Sequence, residues 1–289
     1  MLQLCFLNED MLHKEIIIMK LYSIIYTNEA ARTAEEALNN EVFAYHDPEF
    51  RNKVILISRN KILQAIDSVK KTGLMQNFFS HITKNIAQEA IVGYISFSQN
   101  SSIKDLYKGE SSAAVDGFGP LMYQLAMYVI HPSWLMSDSS LKPASHRVWQ
   151  KMYEFSEQGV YERKFLAEYK IQLIYNRRSS GLPDDANRNK KIEEYITAVQ
   201  NNDIPKTEDA FIEWVKENLP EEPIKNFGHF WAYRKTSHDP KIKNLFDQGE
   251  KFIEQLKAEL KISKDSAREI IEGSATQFFR NLYDSAASD

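Results

Sequence analysis

Two periods of apolar spacing alternate along the first half of the chain. Short β-branched and aromatic runs at residues 21–27, 52–60 and 91–99 predict strands, the last of them well buried. Alanine and glutamate at helical density over 29–38, and a helical pattern from Lys61 to about Glu89, predict helices between them. Strands alternating with helices point to an α/β or mixed α+β layer. Residues 98–112 are polar and turn-rich and predict a surface loop, after which the short run SAAV, ending at Val115, reads as the tail of a strand.

The stretch DGFGP follows. Pro120 suits a first helical turn, where its missing N–H costs nothing. Leu121, Met122, Leu125, Ala126, Tyr128 and Val129 then form a stripe at helical spacing that His131 and Pro132 end. Residues 133–138 predict a short strand, and the following stretch to Phe155 a turn and a helix. The local order is therefore strand, glycine turn, helix, strand, helix.

Beyond Gly159 the pattern changes. Residues 169–178 predict a strand closing the sheet, and 179–191 are a polar linker rich in Gly, Pro, Asp and Asn. Helical segments follow: IEEYITAVQ, one capped by Thr207, one opened by Asp239 and Pro240, and one opened by Ser263. The expected division is an extension at 1–18, because Met19 reads like a chain start, an α/β domain at 19–178, a linker at 179–191, and a helical region at 192–289.

Composition narrows the function classes. With 43% hydrophobic and 26% charged residues over 289 positions, the chain is long and apolar enough for a sizeable core. The 36 basic and 40 acidic residues are interspersed, so bulk charge does not suggest nucleic-acid binding. A single cysteine, Cys5, excludes an internal disulfide and suits a reducing cytoplasm. Apolar runs are broken before they reach membrane-spanning length, and the start is a poor signal peptide.

Gly117 and Gly119 are the residue types that let a strand-to-helix turn present backbone N–H groups to a phosphate at the positive end of a helix. The third glycine of a dinucleotide fingerprint and the GxxxxGK[ST] loop are both missing. The seven histidines show no HxH, HxxxH or HExxH spacing, and no GxSxG elbow supports a serine nucleophile. NFGHFWAYRK, at 226–235, interleaves rings with basic groups, which fits base stacking or a buried aromatic knot.

The order IVGYISF, loop, SAAVDGFGPLMYQLAMYV, WLMSD and a helix carrying Val148, Trp149 and Tyr153 resembles the central part of the GNAT acyltransferase superfamily. The run GFGPLMYQLAM…LMSD…VWQKMY is also similar to a GNAT-like group of tailed-bacteriophage proteins. The resemblance spans roughly residues 90–160. It implies an α+β fold with a mixed central sheet flanked by helices, followed by a helical region, in a host-cytoplasm or virion setting. It implies acetyl-CoA as cofactor, with the pyrophosphate on Val115, Gly117, Phe118, Gly119 and Leu121. Tyr153 would protonate the leaving thiolate, and the acceptor would be an amine on a small molecule or protein.

Three positions differ from the family's loop: Ala114 replaces Gln or Arg, Asp116 adds a carboxylate, and Pro120 removes a donor. They favour a second reading, a non-catalytic virion or host-interaction protein that binds a partner through its C-terminal helices. Bland roles compete at each position. Both glycines suit a turn at positive φ, Tyr153 suits core packing one turn after Trp149, Trp134 and Trp149 suit apolar anchors, and Ser137 with Asp138 suits ordinary turn chemistry. An open groove between 113–116 and 134–138 favours the enzyme, and a seam filled by side chains favours the scaffold.

Overall fold

The computed structural model describes residues 32–46, 52–71, 78–115, 117–137, 143–167, 186–237 and 239–287. The strands expected at 21–27 and 169–178, the extension at 1–18, Asp116 and Asp138 lie outside them.

The described residues open with α1 (Ala34–Asn39), β1 (Val42–Tyr45), β2 (Lys53–Ser58), α2 (Arg59–Lys71) and α3 (Phe78–Glu89). The segment expected to turn from strand to helix follows as β3 (Ile91–Gln99), β4 (Leu106–Ala114), α4 (Gly119–Val129), β5 (Trp134–Met136) and α5 (Pro143–Glu157). Next come β6 (Glu162–Phe165), α6 (Ala186–Gln200), α7 (Glu208–Asn218), a 3-10 segment (Ile224–Phe230), β7 (Trp231–Arg234), α8 (Pro240–Leu260) and α9 (Lys264–Ala287). Three expected helix starts are capped as their sequences require. Thr207 Oγ1 accepts from the Ala210 N–H at 3.3 Å, Asp239 from Lys241 at 2.9 Å, and Ser263 Oγ from Ser266 at 3.0 Å.

The strands form one mixed sheet in the order β1-β2-β3-β4-β5-β7-β6. Its neighbours are antiparallel except β4 and β5, which run parallel, with α4 as the crossover. Side chains alternate between two cores. Val42, Ala44, Val54 and Leu56 enter one, with α4, α5, α6 and α7; Phe43, Tyr45, Ile55 and Ile57 enter the other, with α2, α3 and α9. Burial on both faces explains why β2 reads as an unbroken apolar run.

Helix α8 belongs to both cores. Ile242 and Leu245 pack in the first, Phe252, Ile253 and Leu256 in the second, and between them Gly249 lies against the Ala44 carbonyl. A carbonyl oxygen lies in the plane of its sheet, so α8 crosses the sheet at the outer edge of β1.

The polar stretch at 98–112 holds the expected surface loop at 100–105, but residues 106–112 belong to β4, whose backbone pairs with β3 while most of its side chains stay half-exposed. Helix α6 begins at Ala186, within the stretch expected to be a linker, and β7, from the region expected to be helical, lies between β5 and β6. One apolar cluster runs from Ala34 through Trp149, Ile192, Phe211 and Trp231 to Leu245. Phe227, Phe230 and Trp231 are fully buried, so NFGHFWAYRK is the aromatic knot and presents no stacking platform.

Against this knot lies a buried polar group. His146 and His229 are 2% and 1% exposed with ring centroids 5.5 Å apart, and Nε2 of His146 donates to the Asn226 carbonyl at 2.7 Å. The Arg188 guanidinium lies over Phe227 and 3.7 Å from Glu222. Burial lowers the pKa of both histidines, that of His229 well below the usual range; the hydrogen bond to Asn226 opposes this at His146, and the Arg188 charge adds to it at both.

Gly249→Ala drives a methyl into the Ala44 carbonyl and is expected to cost about 1–3 kcal/mol in urea unfolding. Gly273→Ala, whose methyl meets Thr83 at an ordinary 3.4 Å, is expected to be neutral or stabilising. Because the unfolded histidines bind protons that the folded ones refuse, stability is full above pH ~6.5 and falls below it, by up to about 1.4 kcal/mol per pH unit for each ring. Urea midpoints between neutral and mildly acidic pH measure this, and His229→Gln is expected to flatten the curve.

Candidate functional site

The site begins where the recorded pairing of the parallel strands β4 and β5 ends. Leu106, Tyr107 and Lys108 of β4 pair with Trp134, Leu135 and Met136 of β5. Gly109 is still close, since a Cβ there would lie 3.6 Å from the Met136 carbonyl. Glu110 is an extra residue between Gly109 and Ser111, which pair with Phe97 and Ser96, and such a bulge sharpens the twist of its strand. From Ser111 to Ala114, β4 keeps β3 on one side and has no strand beside it on the other among the described residues.

The direction of the free edge follows from one hydrogen bond. The Val115 N–H donates to the Val92 carbonyl at 2.9 Å, so alternation turns Ala113 and Ser111 toward β3 and the backbone groups of Ser112 and Ala114 away from it. The residues there are small and half-buried.

At the end of this edge the chain makes its glycine turn. The Phe118 N–H donates to the Val115 carbonyl at 3.1 Å, and Gly117 has φ +81°, the value a type II turn needs at its third position. The Gly117 carbonyl accepts from the Arg32 N–H at 3.2 Å, and the Arg32 guanidinium stands 5.2 Å over the Phe118 ring. Sequence reasoning missed Arg32, because its partner lies far along the chain and no local pattern marks it.

Gly119 departs from expectation. Its φ is not positive, and a Cβ would meet nothing within 4 Å, so neither conformation nor crowding requires glycine. No side chain caps α4, whose first turn contains Pro120. Of the residues expected on the cofactor, Val115, Gly117, Phe118 and Gly119 lie together at this turn, whereas the Leu121 side chain is 1% exposed in the core and contributes backbone alone. The Val115 and Phe118 N–H groups are already engaged in the sheet and the turn.

Two tyrosines of raised pKa differ in placement. Tyr153 packs 4.9 Å from Trp231, with the Arg163 guanidinium 4.8 Å from its ring; burial raises its pKa, and Arg163 opposes this. Tyr123, not singled out in the sequence, sits edge-on to Trp149 with its hydroxyl 2.8 Å from Ser112 Oγ and hydrogen-bonded to Ser145. Burial raises its pKa above the usual phenol value, against those two hydrogen bonds. A protonated phenol therefore packs against Ser112, while the backbone edge of Ser112 and Ala114 has no neighbouring strand among the described residues.

No family model matches the sequence, and no curated protein or solved structure is significantly similar to it. No helix among the described residues is long and apolar enough to cross a membrane.

Tyr123→Phe leaves the packing on Trp149 and deletes a hydroxyl with two partners, so it is expected to lower the unfolding free energy by about 1 kcal/mol in urea titration. A change near zero would show that Ser112 and Ser145 are satisfied without it.

Proposed function

We propose that the protein is a GNAT-like acyltransferase that binds acetyl-CoA along the outer edge of β4 and transfers its acyl group to an amine. The observation that carries this reading is the end of β4, from Ser111 to Ala114, which has no strand on its far side among the described residues and leads through the glycine turn to an uncapped helix start. An extended amide-bearing arm would pair with the backbone of Ser112 and Ala114 as an added strand does. The pyrophosphate would then fall at Gly117–Gly119, where the positive end of α4 and the Arg32 guanidinium favour an anion. Gly119 fits that role because it leaves open space that packing does not explain.

In the transfer, an amine nitrogen attacks the thioester carbonyl, the C–N bond forms, the C–S bond breaks and the departing thiolate takes a proton. A phenol kept protonated by burial is a suitable donor. Tyr123, whose hydroxyl lies against β4, is the better candidate by position, and Tyr153 remains the one that the resemblance implies.

The second reading is a non-catalytic virion or host-interaction protein on the same scaffold. The specific observations in its favour are the Val115 and Phe118 N–H groups already hydrogen-bonded, Pro120 in the first helical turn, and Tyr123 packed against Ser112.

Calorimetric titration with acetyl-CoA separates the two. Binding is expected in the wild type, loss of binding in Gly119→Glu, which has room to fold unchanged, and affinity weaker by about tenfold or more in Arg32→Ala. No heat from the folded wild type at millimolar ligand would overturn the acyltransferase reading.

A further inference from the structure

A concavity lies beyond the other end of α4. It measures about 550 Å³ and is lined by the end of β1 with His46, by Tyr128, Val129 and His131, and by Phe246, Asp247 and Glu250 of α8. That volume is in the range of small-molecule sites. Helix α4, with 11 residues, puts roughly 16 Å between the glycine turn and this cleft, so it stands apart from the proposed acetyl-CoA site.

The chemistry of the lining is one-sided. Tyr128 and Phe246 stack at 5.4 Å with 16° between their planes, forming an aromatic wall. Nδ1 of His46 lies 2.9 Å from the Lys53 carbonyl, so in the neutral ring Nδ1 carries the proton and Nε2 is an acceptor. His131 and two carboxylates, Asp247 and Glu250, complete the polar part, and no lysine or arginine lines the cleft among the described residues. Both carboxylates have basic neighbours, Lys243 at 3.0 Å from Asp247, and Lys264 and Arg268 on Glu250. Those bases sit on α8 and α9 outside the lining, so the inner surface combines acceptors, an aromatic pair and two carboxylates.

From this combination we infer that the cleft is a binding site for a small organic cation, an ammonium carried on an apolar or aromatic body. The ring wall covers the apolar body and attracts the cation, and the carboxylates with the His46 acceptor take the N–H donors. Neutral and anionic compounds of the same shape are disfavoured, since they forfeit the charge term.

The test uses benzylamine as probe, with benzyl alcohol and benzoate as matched neutral and anionic controls, followed by chemical shifts in the full chain. Benzylamine is expected to shift resonances of His46, Tyr128 and Phe246 saturably, with affinity falling as salt rises. Phe246→Ala and the double variant Asp247→Asn, Glu250→Gln are each expected to weaken it about tenfold. Equal binding of benzyl alcohol, unchanged affinity in the double variant, or no saturable shift at millimolar benzylamine would overturn the inference. The comparison of the three probes on the wild type decides the matter even if a variant misfolds. Loss of acetyl-CoA binding in Gly119→Glu leaves it untouched.

Discussion

Three residue pairs of parallel register, Leu106–Trp134, Tyr107–Leu135 and Lys108–Met136, join the two halves of the sheet. On one side lies the meander β1-β2-β3-β4, and on the other the set β5-β7-β6. Parallel neighbours cannot be joined by a tight hairpin, so a crossover is obligatory, and α4 supplies it over the first core. β5 ends at Met136 while β4 continues to Ala114, so among the described residues the last part of β4 has a strand on one side alone. From that end the chain passes through the glycine turn into α4.

Behind the short junction stands a dense aromatic contact. Trp149 meets Tyr123 from α4 and Tyr233 from β7, while Tyr153 meets Trp231. Trp231 in turn touches Phe165 and Phe211, and Phe211 touches Tyr195 and Phe230. Helices α6 and α7 thus act as a cover for the β6–β7 half of the sheet, since the rings they bring close the same core. A single pair of Leu135 with Tyr233 joins β5 to β7, so side-chain packing supplements a sparse ladder there.

Elements whose signal is local were legible in the sequence. β3 and the helix starts at Thr207, Asp239 and Ser263 stand where pattern and capping residues put them. Elements that depend on distant partners were not. The polar residues of β4 become a strand through pairing with β3, and the four residues of β7 are strand only because β5 and β6 flank them. At the candidate site, Gly117 announced its positive φ by being glycine in a turn, whereas Gly119 has ordinary backbone geometry and an open environment. Arg32 and Tyr123 stayed hidden for one reason: an arginine over a ring and a hydroxyl on a neighbouring strand leave no mark on the spacing of their own segments.

An open sheet ends in two strands whose outer backbone groups can template another chain, the usual route to self-association. Among the described strands the two ends, β1 and β6, are guarded by different means. At β1 the passage of α8 over Gly249 puts a helix against the edge, and only a residue without a side chain allows so close an approach. At β6 the sequence ERKF supplies charge, with Arg163 held by Glu157 and Glu208, and Glu162 by Arg234 across to β7. A strand added to either end would have to displace a packed helix or strip charged groups of their partners.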